Sequence, residues 1–238
     1  MYKTVEEAAL FVKNLAPLVT KATYLAVPFT AIKSAADIAK GTLIDIGAQN
    51  MHDASEGAFT GEIAAKMLLD AGARFVILGH SERRRLFHET SALVNKKVKR
   101  ALSEKIQPLL CIGETLEQRE AGKTEEIIRS QLLESLADIS LDQHPEIMLA
   151  YEPVWAVGTD MAATPETAQE AHRFCRQCIS EKWGEEAANK IVIQYGGSVK
   201  PDNAQNLLNE PDIDGLLVGG ASLTVESFSQ IANLGKSL

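Results

Sequence analysis

The sequence predicts an α/β barrel of the (β/α)₈ type that is one strand short. Three observations carry this. Seven short apolar runs alternate strictly with amphipathic segments, counting from a helix at the start to a helix at the end. The runs are too continuously apolar for strands with one wet face, so they read as parallel strands covered on both sides. Polar residues collect where the runs end, the face on which such barrels place their chemistry. An open doubly wound sheet would also accept seven strands, but no G-x-G-x-x-G turn follows any of them. Eight helices and seven strands leave a closed barrel without the strand that would precede the first helix.

The elements follow in order. "MYKTVEEAALFVKNLAPLV" is amphipathic from almost its first residue, with Val5, Ala8, Ala9, Val12, Leu15 and Ala16 at helical spacing and Thr4 with Glu7 forming a capping box. The strand runs are "TYLAVPF" (23–29), "TLIDIGAQN" (42–50), "RFVILGH" (74–80), "IQPLLCIGE" (106–114), "EIMLAYEPVWA" (146–156), "KIVIQYGGSV" (190–199) and "IDGLLVGGASL" (213–223). Helices are predicted over roughly 30–40, 60–71, 90–104, 115–137, 165–183, 202–209 and 224–234. Thr164 caps one of them, with Pro165 at its first position. No linker or low-complexity stretch divides residues 1–238, which read as a single domain.

Composition narrows the function. A formal charge of −8 argues against a nucleic-acid or anionic-membrane partner and leaves room for a local positive pocket that takes a small anion. Three cysteines give no disulfide framework, which points to a reducing compartment. With no basic region followed by an apolar run at the start, and no membrane-length apolar window, the expected location is the cytoplasm.

Three strand ends carry candidate chemistry. "ILGHSERR" places His80 at one, as a general acid, an electrophile or a histidine satisfied within the barrel mouth. "LAYEPVWAVGTD" puts Glu152 directly after an apolar strand, where a base or a strand-end ion pair would fit. "YGGSV" and "LLVGGASL" end the last two strands. Their glycine pairs, Gly196 with Gly197 and Gly219 with Gly220, allow a phosphate to be cradled by backbone N–H groups with the Ser198 hydroxyl, or mark tight turns only. Cys175 and Cys178 form a C-x-x-C, extended by His172, but they lie deep within a predicted helix and read as packing. "RRR" at 83–85 reads as an ion-pairing run.

Taken together, "AFTGE", "ILGHSERR", "CIGE", "AYEPVWAVGT", "YGGSV" and "LLVGGASL" resemble, in order and separation, the triosephosphate isomerase family, whose fold is the TIM barrel. The resemblance implies that Glu152 is the base that moves a proton between neighbouring carbons of a small phosphorylated triose. His80 would be the electrophile that polarises the carbonyl, the role for which this enzyme is a standard example of a neutral histidine. It implies phosphate binding by Gly158, Ser198, Gly219 and Gly220, a supporting carboxylate at Glu82, and no cofactor or metal. It places Cys111 close beneath the base. Residues 153–164 resemble the family's lid, with Asp160 where a second glycine is usual, and 49–62 resemble the loop that interlocks subunits of a homodimer, with Thr60 reaching the neighbouring site. The family's first strand ends in Asn-Trp-Lys, so that strand and its lysine are expected to be missing. A chain lacking that cation has a second reading, a non-catalytic or strongly impaired phosphate-binding relative.

Overall fold

The computed structural model describes residues 1–156 and 163–235. Its elements are α1 (Val5–Leu15), β1 (Thr23–Val27), α2 (Ile32–Ala39), β2 (Ile44–Ala48), α3 (Ala65–Ala71), β3 (Phe75–Leu78), α4 (Ser81–Leu86), α5 (Ser91–Ser103), β4 (Gln107–Ile112), α6 (Leu116–Glu120) and α7 (Thr124–Ser135). They continue with β5 (Met148–Tyr151), α8 (Pro165–Trp183), α9 (Glu185–Lys190), β6 (Val192–Tyr195), α10 (Ala204–Leu208), β7 (Gly215–Leu216) and α11 (Val225–Ala232). The seven strands form one parallel sheet in sequence order, each paired with the next. Its two ends are brought round by a helical clasp. The Phe11 ring of α1 packs on Phe228 of α11, centroids 6.4 Å apart. Asn233 accepts from the Thr20 amide at 2.8 Å and donates to the Leu18 carbonyl at 2.8 Å.

Strand periodicity sorts the core into two clusters. Phe75 and Ile77, Leu109 and Cys111, and Met148 and Ala150 alternate along their strands and meet inside the barrel. The intervening Val76, Leu78, Leu110, Ile112, Leu149, Tyr151, Ile193 and Tyr195 face the helices in the larger outer core. The same parity carries Gly113 and Glu152 inward, two residues beyond Cys111 and Ala150. A buried strand ending in a carboxylate is therefore a polar atom delivered to the mouth by a hydrophobic address.

The capping box predicted for α1 forms: Thr4 accepts from the Glu7 amide and Glu7 from the Thr4 amide. Thr164 caps α8 as expected, with Pro165 at its start. Four boundaries differ. The helix predicted over 60–71 begins only at Ala65, because the chain before it turns through left-handed glycines, Gly57 at φ 142° and Gly61 at φ 93°. The segment 115–137 breaks into α6 and α7 at Gly122, φ 69°. After Gly184, φ 91°, the chain makes the extra turn of helix α9. Helix α4, inside the arginine run, is too short to show a period; His80 caps it.

Candidate active site

Glu152 is 2 % exposed, and its two oxygens are held separately. Oε1 lies 2.9 Å from His80 Nε2, and Oε2 accepts from the Ser81 amide at 2.9 Å. His80 Nδ1 accepts from the Glu82 amide at 3.3 Å. An acceptor nitrogen carries no proton, so the neutral ring bears its hydrogen on Nε2 and directs it at the carboxylate. Burial alone pulls the His80 pKa down, but the hydrogen bond and charge of Glu152 outweigh it and the net shift is upward. The capping bond opposes that gain, since a ring protonated at Nδ1 forfeits the Glu82 amide.

The space around Glu152 is made by glycines. A Cβ on Gly113 would stand 1.8 Å from the Glu152 carbonyl oxygen, and one on Gly196 would stand 2.9 Å from Glu152 Cγ. Cys111 is fully buried below the carboxylate, and burial together with Glu152 pushes its thiol pKa well up, leaving it protonated and inert. These are packing demands imposed by neighbouring strands.

Behind the site a second carboxylate, Glu114, is completely buried and fully engaged. It accepts from the Tyr151 hydroxyl at 3.0 and 3.1 Å and from Trp155 Nε1 at 2.9 Å, with Arg119 3.5 Å away. Trp155 stands in the short 3₁₀ turn Val154–Ala156, so this network fixes the chain where it leaves Glu152. The Arg119 guanidinium also lies over the Trp155 ring, 4.7 Å from its centroid.

The sequence candidates divide by position. His80 and Glu152 are brought into direct contact. Gly219 and Gly220 are exposed at the end of β7, and a Cβ at either would meet nothing within 4 Å among the described residues. Ser198 is half-buried beyond β6, its carbonyl accepting from Asn203 at 3.0 Å. Glu82 is largely exposed, with Oε2 3.9 Å from His80 Nδ1. Thr60 is exposed on the 49–62 loop, which is tied down by His52 N–H to the Ile63 carbonyl and by Arg100 to the Asp53 carbonyl, both 2.9 Å. Gly158 and Asp160 lie outside the described residues, as does half of the expected lid, 157–162. Lys3 donates to the Leu223 carbonyl at 2.8 Å, at the far end of the 3₁₀ turn that Gly220 begins.

The arginine run pairs as expected at Arg83, which meets Glu89 at 2.7 Å. Lys97 also bonds Glu89, and Asn50, within the protein. Cys175 and Cys178 are buried and free, and burial pushes both thiols up, so the C-x-x-C is packing. Sequence reasoning missed Ser81, Gly113, Glu114 and Arg84 as parts of the site. The "CIGE" motif held Gly113 and Glu114, but only the β4–β5 register shows what they touch. Among the described residues no helix is long and apolar enough to cross a membrane, and no group of three or more His, Cys, Asp or Glu side chains is placed to hold a metal.

Comparison with known proteins matches the triosephosphate isomerase family model over residues 1–235. The triosephosphate isomerase of Protochlamydia amoebophila is 55% identical over 241 residues, covering 100% of this chain and 91% of that protein. That of Carboxydothermus hydrogenoformans is 49% identical over 235 residues, 97% of this chain and 94% of its own length. The crystal structure of triosephosphate isomerase from Bartonella henselae superposes with a TM-score of 0.89 at 40% identity, covering 97% of this chain and 93% of that one. Among the described residues the sheet has seven strands and the first element is α1, and the family model aligns from residue 1. With its parallel sheet curled into a TIM barrel and its full-length kinship, the chain belongs to the triosephosphate isomerase family.

Proposed function

We propose that this chain interconverts dihydroxyacetone phosphate and D-glyceraldehyde 3-phosphate by proton transfer through an enediolate, with Glu152 as the base and His80 as the electrophile. The observation that carries the roles is the 2.9 Å contact between His80 Nε2 and Glu152 Oε1. A donor and a carboxylate that meet across the mouth can face a reacting carbonyl and its neighbouring C–H once a substrate separates them. The carboxylate removes a proton from one carbon while Nε2–H stabilises the developing enediolate oxygen. The same carboxylate, now a carboxylic acid, returns the proton to the adjacent carbon, so no cofactor enters the balance.

Glu152 is held by two donors, and substrate must release it from at least one before its lone pair can reach carbon. Ser198, Gly219 and Gly220 would hold the phosphate, with Gly158 contributing from the lid. Remote binding of this kind orients the reacting carbons and stabilises the transition state. Glu82 supports the capping turn beside His80. The chain would work as a homodimer in the cytoplasm, the 49–62 loop with Thr60 reaching a second copy.

The test is turnover of dihydroxyacetone phosphate by the purified chain, followed by proton NMR in D₂O. Product formation with deuterium entering at the exchanged carbon is expected. Absence of both, from a folded protein, would sink the reading. Sedimentation at micromolar concentration tests the dimer, which a purely monomeric boundary would refute.

A further inference from the structure

Arg84 sits one turn beyond His80 on α4 and points back beneath it. Its Nε donates to the Gly79 carbonyl at 2.8 Å, Nη1 to Ser91 Oγ at 3.1 Å, and Nη2 to the Cys111 carbonyl at 3.2 Å and Ser135 Oγ at 3.4 Å. All four acceptors are neutral. Among the described residues no carboxylate stands within ion-pair distance of this guanidinium, whereas its neighbour Arg83 has Glu89 at 2.7 Å. Glu152, Glu89 and Glu134 act on the guanidinium only from beyond ion-pair distance, and burial outweighs them and lowers its pKa, so an ion pair does not explain its placement.

The two carbonyls do. Gly79 is the residue before His80, and its φ of 70° makes the left-handed turn that lifts the histidine off β3. Cys111 is on β4, the neighbouring strand, with its side chain below Glu152. A Cβ on Gly79 would stand 2.9 Å from Arg84 Nη2, so the guanidinium packs directly on the turn. Its rigid planar fork spans acceptors on both strands at once, which a single ammonium cannot do.

We propose that Arg84 is a positioning residue that sets the His80 ring against Glu152 by bracing the Gly79 turn to β4. Ser91 on α5 and Ser135 at the end of α7 hold the outer edge of the same guanidinium, so the brace is anchored to the helix layer. The inference rests on the isomerase reading of His80 and Glu152.

The test replaces Arg84 with Met and with Lys and measures dihydroxyacetone phosphate kinetics beside ¹⁵N NMR of the His80 ring. In Arg84→Met, kcat is expected to fall about 10²-fold with KM within about twofold, the scale on which small displacements of a reacting group act. The Nδ1 resonance should move as the Glu82 amide bond is lost, and Arg84→Lys should recover part of both. A wild-type kcat with unchanged His80 resonances in Arg84→Met overturns the proposal. So does a loss confined to KM. Should Arg84→Met not fold, Arg84→Lys decides: fully wild-type kcat and ring resonances there refute a need for the fork. Should the unmodified chain show no turnover, the isomerase reading fails, and the ring resonances still report whether Arg84 braces His80.

Discussion

Two sets of glycines line the same barrel mouth under opposite constraints. On the floor, Gly113 and Gly196 are pressed against Glu152 so closely that a methyl group would collide with it; on the rim, a Cβ on Gly219 or Gly220 would meet nothing within 4 Å among the described residues. The floor glycines make room for Glu152, Gly113 for its backbone carbonyl and Gly196 for its side chain. The rim glycines make room for nothing among the described residues, and the proposed phosphate site would use such open backbone N–H groups. In the proposed reaction, rigidity lies where a proton would move between defined atoms, and openness where the phosphate would be admitted.

The contrast can be attacked from its strongest point. Glu152→Gln keeps the shape of the floor and removes the proposed base; turnover should fall by ~10³-fold, within the range general base catalysis supplies, with little change in melting temperature. A folded variant retaining a tenth of wild-type turnover would remove Glu152 from the reaction. Next comes acid. His172 lies behind the floor between the Tyr151 and Tyr195 rings, at centroid distances of 5.8 and 6.2 Å. Its Nδ1–H donates to the Asp212 carbonyl at 3.2 Å, and Nε2 is buried without a hydrogen-bond partner among the described residues. Burial lowers its pKa from 6.5 to about 4. The folded ring stays neutral while the unfolded one takes up a proton near 6.5, so this contribution is neutral above that pH and destabilising as pH falls from 6.5 toward 4. The loss amounts to about 3 kcal/mol. Chemical denaturation at stepped pH should show it, and His172→Gln should flatten that part of the profile.

Smaller effects separate the glycines themselves. Gly196→Ala forces Glu152 Cγ to shift and should cost about 1–3 kcal/mol of stability while lowering kcat by ~10–100-fold. Gly220→Ala meets open space and should leave stability within about 0.5 kcal/mol, raising KM roughly tenfold with kcat nearly intact. Steady-state kinetics with thermal melts distinguishes them. If Gly220→Ala lowers kcat instead, or Gly196→Ala is silent, the division of the mouth into floor and rim is wrong.

How much of this could be read from residue order depends on the distance over which each feature is decided. The Thr4–Glu7 box and the Thr164–Pro165 start are settled within four residues, and both formed as read. Glu152 was legible because it directly follows an apolar run, a local feature. Arg84 was not, because its acceptors at Cys111 and Ser135 lie 27 and 51 residues away and depend on how β3, β4 and α7 stack. Helix α4 escaped for a different reason, since six residues rich in arginine show no apolar period. The floor glycines were visible as motif letters, yet their reason is a collision with another strand.

The clasp between α1 and α11 bears on how the chain folds. The bonds from Thr20 and Lys21 to Asn233 and Gly235 join residues 213 and 214 positions apart, whereas each strand pairs with its successor. Closing so long a loop carries a large entropic penalty before any contact offsets it. The successive β-α units are therefore expected to assemble first and the clasp to form last. It is the joint at which unfolding should begin, detectable as the earliest exchange of the Thr20 amide hydrogen in a native-state experiment.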